Sequence, residues 1–197
     1  MKSFYSFLKI APVAVSLLIA GCVATPEQSE YADITFRHLA PIKLNVGEIK
    51  VVNEFKPTLK APHIEHELPV KIDQSVQRWA ADRLQAVGNS SAYAVLTIKD
   101  ASAVEKTLKK KTGVTGFFTN DQSELYEFRV SAELKIVDVN GSTGFVAADA
   151  SRTKSVDEEI TLNDRERLYY RQTEVLLQDF DVEMEKNIRD FLGSFIR

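Results

Sequence analysis

The strongest constraint on the fold is an unbroken alternation of apolar and polar residues between Tyr126 and Ile136. Apolar side chains occupy the even positions of this segment, and charged or hydroxyl side chains occupy the odd ones. Because successive side chains of a strand point to opposite faces, the pattern predicts a strand with one face on the core and one in water. Such a strand needs a second layer against its apolar face, and Asn140-Gly141 predicts a hairpin turn directly after it.

A further strand, Gly144–Lys154, follows this turn. A two-residue turn would place Phe145 and Ala147 on the core face. A loop with an odd number of residues would instead place Val146 and Ala148 there, and the sequence leaves both arrangements open.

Two strands are expected in the first half of the chain. Alternating segments at Ile42–Val46 and Ile49–Phe55 form the first strand, but their phase slips at Gly47-Glu48. A one-residue slip in a period of two predicts a bulge or bend at that glycine. The second strand is Tyr93–Ala101, which is rich in residues typical of a buried sheet.

Two helices are indicated by apolar residues three and four positions apart. The first is capped by Asp73 and runs to about Val87, with Trp79 in its core-facing stripe. The second runs to about Leu192, and Asn163 with Glu166 forms its capping box. The order strand, helix, three strands, helix (βαβββα) predicts an α+β two-layer sandwich. Its antiparallel-rich, four-stranded sheet would carry both helices on one face.

The N-terminal segment has the pattern of a secretory signal. Two lysines, Lys2 and Lys9, precede the apolar run Ile10–Ala20, and no acidic residue occurs there. A run of eleven residues, interrupted only by Pro12 and Ser16, is too short to span about 30 Å of hydrocarbon, but it suits the core of a signal peptide. The run ends in Ile19-Ala20-Gly21-Cys22, which contains the only cysteine of the chain. A single cysteine also excludes a disulfide scaffold.

This ending resembles the lipobox of bacterial lipoproteins. The resemblance implies a signal peptide at residues 1–21, cleaved after Gly21, and a lipid anchor on Cys22. Residues 22–33 would form the lipidated tether, and residues 34–197 a periplasmic α+β domain. Because Val23 and not aspartate follows the cysteine, the resemblance implies an outer-membrane anchor facing the periplasm.

Composition and motifs argue against catalysis and against nucleic-acid binding. The formal charge of −3 and the 28 acidic residues do not suit a general nucleic-acid binder. No phosphate loop, nucleophile elbow or HExxH metal motif occurs, so we expect no enzyme and no cofactor. His63 and His66, with His38 as a third donor, are the weak candidates for a metal site. Acidic pairs such as Asp179 with Asp181 are interpreted as solvated helix surface.

One basic stretch stands out in this acidic chain. It combines four lysines with two adjacent phenylalanines in a glycine-flanked loop: Lys106, Lys109, Lys110, Lys111, Phe117 and Phe118. These residues would present cations and an apolar edge to an anionic amphiphile or a partner protein. The alternative is a solvated edge protected by lysines, with the phenylalanines in the core.

The element order behind a lipobox resembles small envelope lipoproteins that assist lipopolysaccharide assembly and auxiliary lipoproteins of ABC-type lipid transporters. The resemblance implies a non-catalytic accessory subunit that binds an envelope protein partner and contacts a lipid or lipopolysaccharide ligand. Two alternatives stay open, namely a periplasmic activator of cell-wall synthesis and a metal-dependent hydrolase that uses His63 and His66.

Overall fold

The alternating segment forms the longest strand of the domain, as its pattern predicts. In a computed structural model, which describes residues 31–88, 91–108, 122–157 and 160–197, this strand is β6 (Gln122–Val137). The other elements, in chain order, are β1 (Ile42–Leu44), β2 (Glu48–Asn53), α1 (Ile72–Arg83), β3 (Leu84–Ala86), β4 (Tyr93–Asp100), β5 (Ala103–Thr107), β7 (Thr143–Asp157) and α2 (Leu162–Phe191). A short 3₁₀ turn, Gly193–Phe195, follows α2. Residues Tyr31–Arg197 form one compact unit.

The main sheet has five strands, which corrects the expected four, and its directions are mixed, with three antiparallel pairs and one parallel pair. β7 pairs antiparallel with β6 along nearly its whole length. The opposite side of β6 pairs antiparallel with β4 and then with β5. Of these two strands, β5 was not predicted from the sequence. β2 is parallel to β4 and forms the outer edge of the sheet. The α+β class is confirmed, with both helices on the apolar face in one core.

The β6–β7 connection decides which residues of β7 face the core. Because Val137 pairs with Thr143, the loop has five residues, an odd number. The Asp138 carboxylate accepts hydrogen bonds from the backbone N–H groups of Asn140 at 2.8 Å and Ser142 at 2.7 Å, and Gly141 has a φ of 82°. Val146 and Ala148 are therefore buried, whereas Phe145 is 57% exposed.

The phase slip at Gly47-Glu48 marks a change of sheet. β1 pairs in parallel with β3 in a separate two-stranded sheet, while β2 joins the main sheet. Gly88, just after β3, donates its N–H to the Val46 carbonyl at 2.9 Å. A Cβ atom on Gly88 would overlap the backbone of Asn45 and Val46, so only glycine permits this close approach.

Both helices differ from expectation at their ends. Lys71, not Asp73, is the N-cap of α1, and its side chain makes no capping hydrogen bond. The helix ends at Arg83 because the next three residues pair with β1. Thr161 caps α2 by accepting a hydrogen bond from the Asp164 N–H, so the capping box predicted at Asn163 was wrong. None of the described helices is both long and apolar enough to cross a membrane.

The prediction that Asp181 lies on solvated helix surface is also corrected. Trp79 is fully buried, as predicted, but Arg83 and Asp181 are buried as well. The Asp181 carboxylate accepts hydrogen bonds from Trp79 Nε1 at 2.7 Å and from Arg83 Nε at 2.8 Å. Asp181 is therefore part of the contact between the helices and does not belong to a solvated surface.

Candidate binding surfaces

Of the predicted basic loop, only Lys106 belongs to the described residues; Cys22, Lys109, Lys110, Lys111, Phe117 and Phe118 lie outside them. Lys106 is on β5, and its ammonium group pairs with the carboxylate of Glu127 on β6. Arg129 Nε also donates to Glu127, at 2.9 Å. These hydrogen bonds lower the pKa of Glu127, with Lys106 as the larger cause. The positive charge of Lys106 is therefore compensated within the sheet.

The histidines make local contacts. His63 Nδ1 lies 2.8 Å from Glu65 Oε1, and the same oxygen accepts a hydrogen bond from the Ala103 N–H at 3.3 Å. His63 and His66 line a cavity of about 300 Å³, whereas His38 lines a different cavity. Within the described ranges, no group of three or more histidine, cysteine or acidic side chains could hold a metal ion. The structure thus does not bring His38, His63 and His66 together.

A polar cluster lies between β5, β6 and the first turns of α2. The Tyr126 hydroxyl donates a hydrogen bond to Glu124, whose carboxylate lies 3.3 Å from Arg165 Nη2. Burial raises the pKa of Tyr169, one turn further along α2, to about 12. Burial, with the nearby carboxylate of Glu124, also raises the pKa of Glu105 on β5. The cluster was not predicted because its members come from three distant segments.

An apolar patch lies on the outer face of the sheet, the face that carries the odd-numbered residues of β6. It consists of Tyr93, Val95, Val137 and Phe145, which adjoin one another across three strands. Tyr93 is 41% and Phe145 57% exposed, and the two valines are half-buried. The four apolar side chains therefore lie together on this face rather than as isolated exposed residues.

A lysine lies within this patch. Lys135 pairs with Val95 on one side and with Phe145 on the other. It is exposed, and no carboxylate of the described residues forms an ion pair with it. Lys50 on β2, which is register partner to Val95, is instead paired with Glu48 at 3.3 Å. The patch thus combines apolar surface with the positive charge of Lys135.

Sequence reasoning missed this patch because each strand contributes only one or two of its residues. The signal that could have indicated it is the odd-loop alternative for β7, which turns Phe145 outward. On that alternative, Phe145 lies on the same face as Lys135 and the other polar residues of β6.

Comparisons with known proteins find solved structures that are similar at low sequence identity. No protein-family model and no curated protein matches the sequence. A minor lipoprotein from Acinetobacter baumannii is similar, with 11% identity and a TM-score of 0.38 over 74% of this chain and 95% of that chain. Rare lipoprotein B from Shewanella oneidensis has 14% identity and a TM-score of 0.36, over 71% and 92% of the two chains. The PelC dodecamer from Paraburkholderia phytofirmans has 14% identity and a TM-score of 0.21, over 69% and 85%. At these values the similarities assign no function and no residue role to the present chain.

Proposed function

We propose that this chain is a lipid-anchored envelope lipoprotein whose domain acts as a non-catalytic accessory subunit. Its place is the periplasmic side of the outer membrane, where it binds a partner of envelope lipid transport or assembly. The observation that carries the proposal is the signal-like leader that ends in Ile19-Ala20-Gly21-Cys22.

The anchor follows from the chemistry of that cysteine. An apolar core of eleven residues directs export without spanning the bilayer. One acyl chain binds a membrane only marginally, whereas several chains on Cys22 hold it firmly, at about 0.8 kcal/mol per buried methylene. The mature domain has an excess of acidic residues, so the acyl chains and not the protein surface must supply this affinity.

The binding role is supported by the apolar patch on the outer face. Both helices pack against the opposite face, which leaves Tyr93 and Phe145 open to a partner. Lys135 within the patch favours a partner that carries negative charge beside its apolar surface. The partner class is therefore an amphiphilic envelope component, either an acidic protein surface or an anionic lipid.

Metabolic labelling of cells with palmitate tests the anchor. We expect the parent chain to be labelled and processed, and Cys22→Ser to lose both the label and the membrane association. Thr25→Ala, in the tether, is the matched control and should keep both. Val23→Asp should move the labelled protein to membranes of lower buoyant density, as the lipoprotein resemblance implies. An unlabelled parent chain that still has its leader would overturn the proposal.

Crosslinking in intact cells tests the binding role. A photoreactive residue at Phe145 should give a discrete adduct that Lys135→Glu weakens. The photoreactive residue placed instead at Val182, which is exposed on α2, should give no adduct. Equal adducts from both positions, or none from Phe145, would contradict a binding role for the patch.

A further inference from the structure

The outer edge of the main sheet is open along the whole of β2. The N–H of Glu54, just after β2, donates to the Ile98 carbonyl of β4 at 3.0 Å. Because peptide groups alternate along a strand, those of Lys50 and Val52 also face β4. The peptide groups of Ile49, Val51 and Asn53 face the opposite way, and no strand among the described residues pairs with that edge.

This edge has little of the usual protection against strand addition. Natural edges are blunted by charged side chains, above all lysine, by proline, by bulges, or by a covering helix or loop. The one lysine of β2, Lys50, is paired with Glu48 at 3.3 Å. β2 contains no proline, its register with β4 is regular over all six residues, and every residue except the half-buried Ile49 is exposed. Val51 is 39% and Val52 41% exposed, so the middle of the edge is apolar on both faces.

We propose that β2 pairs antiparallel with β2 of a second copy of this chain, about a two-fold axis at Val51. In this register Val51 faces its own counterpart, and Ile49 faces Asn53 of the second copy. All three residues present outward peptide groups, so the pairing forms about six backbone hydrogen bonds, two for each facing pair. The two five-stranded sheets then form one continuous sheet.

The charges of the edge are compatible with this register. Lys50 faces Val52 of the second copy, so no two lysines face each other. Glu48 faces Glu54, but each of these carboxylates already has a lysine of its own chain. Glu48 pairs with Lys50 at 3.3 Å, and Glu54 pairs with Lys99 at 2.8 Å. The like-charge penalty that opposed glutamates would cause is therefore reduced.

The symmetry also suits a chain whose N-terminus is tethered to a membrane. A two-fold axis perpendicular to a continuous sheet keeps the helices of both copies on the same face. Tyr31, where the described chain begins, packs against Tyr170 of α2 with ring centroids 5.0 Å apart. Tyr31 of both copies therefore lies on the helix side of the pair. The strand pairing itself does not require the anchor.

Charge exchange at the two-fold axis tests the proposal. The full chain is expressed in cells with two different tags, and the detergent extract is assayed for co-purification of one tagged form with the other. We expect the parent forms to co-purify. Val51→Lys in both forms, or Val51→Glu in both, should reduce co-purification about tenfold, because like charges meet and the Val51 contact is lost. Mixing the Val51→Lys form with the Val51→Glu form should restore it.

The restored mixture also shows that the variants fold. Val182→Lys, an apolar-to-lysine change on α2 at a site 67% exposed, is the matched control and should leave co-purification unchanged. Failure of the parent forms to co-purify, insensitivity to Val51→Lys, or no recovery in the mixture would each overturn the proposal. The Cys22→Ser chain, which lacks the lipid anchor, should still co-purify. That outcome would show that strand pairing holds even where the proposed anchor fails.

Discussion

At the scale of single residues, Glu105 is a carboxyl group whose ionised form is disfavoured by its surroundings in the fold. It lies on the core side of β5, opposite Tyr126, and is half-buried. Burial, then Glu124, raises its pKa, while Arg165 opposes the shift. The folded state therefore binds the proton of Glu105 more tightly than the unfolded state does.

The sign of the stability effect follows from this shift. A carboxyl group with a raised pKa in the folded state favours folding at low pH, and this contribution is lost as the pH rises through that pKa. Glu105→Gln removes the cost of ionisation, so we expect a higher Tm than the parent at pH 7 and a smaller difference at pH 4. Thermal unfolding followed by circular dichroism measures both. Asp149→Asn, exposed on the outer face of β7, should show no such pH-dependent gain.

At the scale of elements, the N-terminus of α2 distinguishes the observed cap from the predicted one. Thr161 Oγ1 accepts from the Asp164 N–H at 3.2 Å and donates to the Asp164 carboxylate at 2.7 Å. Thr161→Ala should therefore lower the free energy of unfolding by about 1 kcal/mol. Asn163→Ala, within the first turn, should change it little. Urea denaturation measures both, and the reverse order of effects would place the cap at Asn163.

The elements that sequence predicts well are those whose pattern is long and local. β6 is recognised because eleven residues alternate without a break, and its apolar positions from Tyr126 to Ile136 are all buried. β5 has only five residues, two of them charged, so its pairing with β6 leaves no comparable pattern. The end of α1 is set by pairing of β3 with β1, a contact forty residues away in sequence that periodicity does not contain.

The candidate surfaces were less predictable than the elements for the same reason. Lys106 was predicted to bind a ligand because it belongs to a lysine cluster, but its partner Glu127 is twenty-one residues away in sequence. The apolar patch gathers residues from β4, β6 and β7, and its exposure depends on the five-residue loop before β7. A surface built from three strands becomes visible only when their register is known.

At the scale of the whole molecule, one buried ion network joins segments from both halves of the chain. Arg83 on α1 donates to Asp181 on α2 at 2.8 Å, to Glu185, and to the backbone carbonyl of Ala40. Trp79 Nε1 donates to the same Asp181 carboxylate. The network therefore fixes α1, α2 and the backbone at Ala40, just before β1, against one another.

Arg83 is only 1% exposed. Removal of its carboxylate partner Asp181 therefore leaves the buried guanidinium charge with reduced compensation. Asp181→Leu should lower the free energy of unfolding by about 3–5 kcal/mol, as found when one partner of a buried pair is removed. Asp190→Leu, on the exposed side of α2 where Asp190 pairs with Lys186 at 3.4 Å, should change it by less than about 1 kcal/mol. Urea titration followed by the fluorescence of Trp79, the single tryptophan, measures both.

The double variant Arg83→Met with Asp181→Leu separates the two reasons for which Asp181 could matter. If the cost of Asp181→Leu comes from an uncompensated guanidinium, removal of that charge should recover part of the lost stability, since apolar residues of similar size can replace a buried pair. If the cost comes from repacking around Trp79, the double variant should be no more stable than the single one. Recovery would show that charge compensation between α1 and α2, across almost one hundred residues of sequence, holds the helical layer together.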